Sequence, residues 1–221
     1  MARRGVDALE SRLSMRDIPL LVVALTVCAY WLRVGAMVVR ARRTQHRDVG
    51  IIPERPAERA MWLVFVPAVL AWCTLPWLGL AHDGGPFALP PFARDSAVYG
   101  VLRWIAAAAA VVCLVLTVRA WRRMGADWRM DISDDNRNLI TDDLFARVRH
   151  PIYAFSIGMM IATAVVMPAW PMLAVALAHV VLMNLKARNE ESHLARLHGD
   201  AYARYMERTG RFLPRAASRH P

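Results

Sequence analysis

Lysine is almost missing from this chain. Lys186 is the single lysine, so the excess of base, 28 Lys+Arg against 18 Asp+Glu and a formal charge of +10, rests on arginine. Cysteine is sparse too. Cys28, Cys73 and Cys113 lie far apart, each inside an apolar run. That spacing excludes a disulfide framework and a paired-cysteine metal motif, and leaves three small packing residues. There is no glycine-rich phosphate loop and no G-x-S-x-G nucleophile motif. No cleavable leader is expected: residues 1–17 are polar, and the apolar run after them is long enough to span and has no small-residue cleavage site. The arginines cluster between apolar runs and form no continuous basic stripe, which argues for a membrane surface and against nucleic acid.

What the chain has in quantity is apolar sequence. It is 57% hydrophobic over 221 residues, read as one membrane domain, 1–221, with N-terminal helices over 1–123 and a core over 124–215. Apolar segments cover residues 18–39, 61–81 and 97–118, and residues 152–185 contain no Asp, Glu, Lys or Arg. Pro168 and Pro171 break that last stretch into halves of 16 and 18 residues. As helices these are about 24–27 Å long, slightly short of a ~30 Å hydrocarbon core. The expected fold is therefore all-α: a polytopic bundle of about five transmembrane helices, ending in a helical hairpin and a tail. Gly199 is placed to cap the first helical piece of that tail, with Asp200 opening the second. Arg33 and Arg103 fall inside apolar segments near one end of each, and are expected to snorkel to the surface. With five spans, three loops or tails on one side hold 21 basic residues and the other side holds five. The basic side should be cytoplasmic.

Candidate chemistry collects on that side. The stretch RVRHPIYAF, residues 147–155, stands at one end of the hairpin and RNEE, residues 188–191, at the other. A hairpin returns its outer ends to each other, so His150–Tyr153 and Arg188–Glu191 should be neighbours. Pro151 has no N–H and suits a first helical position. Two adjacent carboxylates at a membrane surface repel unless a cation compensates. The group would suit a zwitterionic ligand with an extra positive centre; it would equally make structural salt bridges, and the residues alone leave both open. Glu190 and His193, at i, i+3, could offer two ligands from one helix face, but His193 and His198 are five apart, and no metal is expected. Trp121 and Trp128 read as interfacial belt residues. The acidic run at residues 131–143 reads as a solvated turn, with Asp127, Trp128 and Arg129 close enough in sequence to join the site.

The pattern L-I-T-x-x-L-F-A-R-V-R-H-P-I-Y, a short apolar hairpin, R-N-E-E-x-x-L-x-x-x-H-G-x-x-Y-x-x-Y and G-R-F-L-P resembles the isoprenylcysteine carboxyl methyltransferase family and the related phospholipid methyltransferases. The resemblance spans about 90 residues, from Met124 to Pro214. It implies an integral membrane methyltransferase using S-adenosyl-L-methionine, with an acceptor that enters laterally from the bilayer. His150, Pro151 and Tyr153 match the family's cofactor motif, and Glu190 and Glu191 its acidic pair. Arg188, with Arg149 as second choice, would orient an anionic acceptor, and Glu191 would serve as base for an amine. Isoprenylcysteine-type carboxyl O-methylation is the leading expectation, with lipid amine N-methylation and thiol S-methylation as alternatives. Asp143 and Leu144 stand where the family usually has glycine and often proline, and Phe155 stands where a small residue is frequent. Two other classes stay open: a structural membrane protein with salt bridges at the hairpin ends, and a membrane reductase using a nicotinamide cofactor.

Overall fold

The computed structural model describes residues 15–45, 56–125, 128 and 138–215. Among them the chain is helical: α1 Ile18–Gln45, α2 Pro56–Ala81, α3 Pro91–Asp95, α4 Ala97–Met124, α5 Pro151–Val166, α6 Trp170–His198 and α7 Asp200–Arg208, with a 3₁₀ turn at Asp143–Ala146 before α5. Four of these, α1, α2, α4 and α6, carry stretches long and apolar enough to cross a membrane, and α5 is a shorter apolar helix of 16 residues. The proline break falls where the sequence puts it, between Val166 and Trp170. The second arm does not end at Leu185, however. It continues as one helix to His198, which carries Glu190 and Glu191 about 8–9 Å past the last apolar residue.

A hydrophobic core runs through the bundle around Val23, Val27, Trp72, Ala107, Met159 and Met160. Side chains on the outside are apolar as well: Leu32, Leu63, Val98, Ile105 and Leu177 are all exposed. A helix hydrophobic on both faces is one solvated by lipid. With no water to drive helices together there, close approach of small residues does the work. Of the five alanines at 106–110 of α4, Ala106, Ala107 and Ala110 are buried, and α4 packs on α5, where Gly158 lies so near that a Cβ would meet Cys113 Sγ at 3.0 Å. Two buried polar ties pin the helices further: Trp72 Nε1 donates to Thr163 Oγ1 at 3.0 Å, and Ser156 Oγ lies 2.9 Å from His179 Nε2. Bonds of this kind contribute about 0.6 kcal/mol each in a membrane.

Arg103 departs from the sequence expectation. It does not snorkel; it is 1% exposed and points into the bundle. Its Nε donates to Val166 O at 3.0 Å and its Nη1 to Arg16 O at 2.8 Å, while Tyr99 OH donates to Val165 O at 2.9 Å. The last carbonyls of a helix lack intrahelical partners and carry its negative end. The end of α5 is buried in the bundle away from water, so α4 supplies the donors. Arg33 is exposed.

Candidate active site

The charged end of the hairpin is assembled from three pieces of chain. Pro151 opens α5, and the preceding loop is held on α4 by two ion pairs. Arg123 meets Asp142 at 2.7 Å through both its Nε and Nη2. Arg119 meets Asp143 through Nε at 3.0 Å and also through Nη2. Asp143 needs that hold, because its φ is +52°, in the left-handed region where glycine is at ease. This is the position at which the family resemblance leads one to look for glycine. The salt bridges lower the pKa of both aspartates. The described part of the acidic run is thus exposed, as a solvated turn would be, and is also ion-paired to α4; the remainder, with Asp127 and Arg129, lies outside the described residues.

The third piece is the tail after α7. Gly210 O accepts from Arg149 N at 2.8 Å and Arg211 O accepts from His150 N at 3.1 Å. Val148 and Gly210 form an isolated parallel bridge, and a Cβ on Gly210 would run into the Leu213 carbonyl. Tyr205 OH, donating to Phe145 O at 2.7 Å, ties α7 to the same loop. The backbone N–H groups of Arg149 and His150 thus find their partners in the tail.

This folding brings the sequence-nominated residues to different places. Glu191 is 8% exposed and faces arginine on both sides. Its Oε1 accepts from Arg149 Nε at 3.0 Å, and its Oε2 from Arg211 Nη2 at 2.5 Å. Arg149 Nη1 donates to the carbonyls of Thr209 and Met206, and Arg211 Nη1 to Asn184 Oδ1 at 3.2 Å. Glu190, one residue earlier and about 100° around the helix, points elsewhere. Its Oε2 accepts from Tyr153 OH at 3.1 Å and lies 3.5 Å from His150 Nδ1.

His150 sits between the two carboxylates. Its Nε2 is 3.4 Å from Glu191 Oε1, an ion-pair distance without hydrogen-bond alignment. Burial works against charge on the ring, but Glu190 and Glu191 outweigh it and raise the His150 pKa above the ordinary value. The imidazole is stacked on the Tyr153 ring, centroids 5.4 Å apart and planes at 6°. His150, Pro151, Tyr153 and Glu190 line a cleft of about 430 Å³, counted to its open mouth, together with Met124, Trp128, Phe145 and Arg149.

Arg188 is exposed, and among the described residues no salt bridge or side-chain hydrogen bond joins it to this cluster. Arg211 takes the place expected of it. Sequence reasoning had the G-R-F-L-P element in hand but no signal for where its arginine would land, 20 residues after Glu191. Trp121 and Trp128 are not belt residues. Trp121 is 3% exposed and packs on Tyr30 with centroids 5.0 Å apart, and Trp128 lines the cleft.

Residues 101–201 match the family model of phospholipid methyltransferase. Among solved structures, the fold is similar to that of the eukaryotic intramembrane Ras methyltransferase, isoprenylcysteine carboxyl methyltransferase. The TM-score is 0.57 at 18% identity, over 91% of this chain and 68% of that one. A search of curated proteins gives no match. The shared fold is that of a polytopic helical bundle, and the segment 101–201 within it is similar to the phospholipid methyltransferases.

Proposed function

We propose that the chain transfers a methyl group from S-adenosyl-L-methionine to a lipophilic acceptor drawn from the bilayer, with its site facing the cytoplasm. Isoprenylcysteine-type carboxyl O-methylation is the leading reaction. The observation that carries the reading is Glu190, a carboxylate held by Tyr153 and His150 on the wall of an aromatic cleft. The arginines are engaged by its neighbour, Glu191. Glu190 is thereby the acceptor for an ammonium, and the Trp128 and Tyr153 rings suit a second positive centre. Orientation toward the cytoplasm follows from the arginine count at this end.

When bound, S-adenosyl-L-methionine supplies an electrophilic methyl group on a sulfonium. The chain's part is to orient and to exclude water. Tyr153 OH and His150 fix the Glu190 carboxylate, and the tail fixes His150 through its backbone N–H. Positioning of this kind can contribute up to about 7–11 kcal/mol to a two-substrate reaction. Glu191 and Arg149 act as supports, because their charged groups are already satisfied by each other, Arg211 and backbone carbonyls. That arrangement supports a carboxylate acceptor, which needs no base. Glu190 and Glu191 favour the protonated form of His150 and Glu191 is locked by two arginines, so neither is well placed to take a proton from an amine. Amine N-methylation of a phospholipid is the second reading, favoured by the family match.

Calorimetry with S-adenosylhomocysteine on detergent-solubilised protein tests the reading, repeated with Glu190→Ala and His150→Ala. Absence of binding by the parent protein would overturn it. Radiolabelled methyl transfer into lipid extract then separates the two reactions. Label in an ester is released as methanol by alkali, and label on nitrogen is not.

A further inference from the structure

Deep in the bundle, the indole N–H of Trp72 is taken by Thr163. Trp31 and Trp121 differ from it. Their indole N–H groups are buried and have no hydrogen-bond partner among the described residues. A buried donor without an acceptor is costly, and folded proteins keep few of them. These two stand together. Both rings pack on Tyr30, with centroids 5.2 and 5.0 Å from its own. Both line one cavity of about 500 Å³, counted to its open mouth.

That cavity continues the Glu190 cleft inward, because Trp128, Ile152 and Tyr153 line both. Trp121 stands in the last turn of α4, between Arg119 and Arg123, which hold the loop of the site. The donors are therefore near the cleft and not at the far end of the bundle. Ser156 lies one turn deeper than Tyr153 on the same face of α5, about 4.5 Å along the axis. It lines the cavity with His179, to which it is paired at 2.9 Å. The space beside the site is thus aromatic in shape and hydrogen-bonding in chemistry. A plain hydrocarbon chain lying there would leave both indole donors dry and unpaired. A carbonyl oxygen has two lone pairs and could accept from both. Selectivity of this kind is steep, because an analogue without the oxygen leaves the buried donors unpaired.

We propose that Trp31 and Trp121 set the specificity for the acceptor. Its lipophilic chain carries a carbonyl oxygen close to the reacting head, and the two indole N–H groups donate to that oxygen. The inference rests on the methyltransferase reading above; it keeps the carboxyl chemistry and narrows the chain that goes with it.

The probes are N-acetyl-S-tridecylcysteine and its 2-, 4- and 6-oxotridecyl counterparts, which differ from it by one carbonyl. Calorimetry in a non-ionic detergent, with S-adenosylhomocysteine at saturation, compares the four. The parent should bind at least one ketone tenfold or more tightly than the plain chain. Phenylalanine keeps an aromatic wall and removes the donor. Trp31→Phe with Trp121→Phe should cut the preference to within twofold, with plain-chain affinity changed less than twofold. Each single substitution should reduce the preference at least threefold, so the result does not depend on the double variant folding. Trp72→Phe removes a paired N–H outside the cavity lining and should leave the preference intact. S-adenosylhomocysteine binding, measured on each variant, reports an intact fold. Equal affinity of the parent for all four probes overturns the proposal, as does a preference that survives the loss of both indoles. So does the binding of none of them by a parent that binds S-adenosylhomocysteine. A parent that does not bind S-adenosylhomocysteine sinks the methyltransferase reading instead, and the ketone preference is then decided by the same titrations without it.

Discussion

Glutamine in place of Glu190 and Glu191, one at a time, should give opposite phenotypes. Glu191→Gln removes the shared partner of Arg149 and Arg211, whose side chains are 11% and 31% exposed. Taking one member from a buried pair costs about 3–5 kcal/mol, and the open edge at Arg211 favours the lower end. For a chain of this size, roughly 3 kcal/mol lowers the melting temperature by about 6–12 °C. Glu190→Gln keeps an acceptor for Tyr153 OH and breaks no arginine pair, so its melting point should stay within a few degrees. It does remove the charge offered to a ligand ammonium. A charge-assisted hydrogen bond is worth about 1.5–3 kcal/mol, or roughly a ten- to hundredfold loss in S-adenosylhomocysteine affinity. Thermal melting in detergent and calorimetry read the two effects on the same samples. The reasoning is refuted if Glu191→Gln melts with the parent, or if Glu190→Gln binds S-adenosylhomocysteine as tightly as the parent does.

Arg103→Met should lower stability by about 1–3 kcal/mol, because the buried Val166 carbonyl loses its donor, while the Arg16 carbonyl lies at an exposed residue. Arg33→Met should change it by less than about 0.5 kcal/mol; similar melting shifts for both would count against the burial argument. The raised pKa of His150 makes its contribution complete below about pH 6.5 and has it fade as pH rises through the folded-state value. The melting difference between the parent and His150→Gln should therefore shrink in alkaline buffer, and a difference that grows would refute the assignment. Asp142 and Asp143 work the other way, with pKa values lowered by their arginines, so their clasp should weaken only in acid. Asp143→Ala keeps the left-handed strain and loses Arg119, whereas Asp143→Gly relieves the strain. Alanine should thus lower the melting temperature more than glycine does.

The hairpin was legible because its signals are local. An uncharged stretch broken by Pro168 and Pro171, with Pro151 at one end, admits few other foldings, and the meeting of His150 and Tyr153 with Glu190 and Glu191 follows from that geometry. What escaped the sequence is the direction in which each side chain leaves its helix. Arg188 and Glu191 are three residues apart on α6, yet the first is exposed and the second is enclosed by the tail. Arg103 was misjudged because periodicity reports depth along a helix and not the unsatisfied carbonyls of a neighbouring one. The Arg211 contact depends on a tail bridge of a single residue pair, Val148 with Gly210, which has no periodic signature.

The same bridge explains why so much charge gathers at the mouth of a membrane helix. Taken alone, Arg149, His150, Glu190 and Glu191 would be four ionisable groups at the edge of lipid, two of them repelling. The tail resolves the conflict by dividing them. Arg211 and Arg149 neutralise Glu191 on the inner side, which fixes α6 against the loop. His150 is then pulled between the carboxylates and presents its stacked partner Tyr153, with Glu190, to the cleft. A site of this kind needs both halves. Without the inner ion pairs the outer carboxylate has no fixed direction, and without the outer group the inner pairs are only a structural clasp.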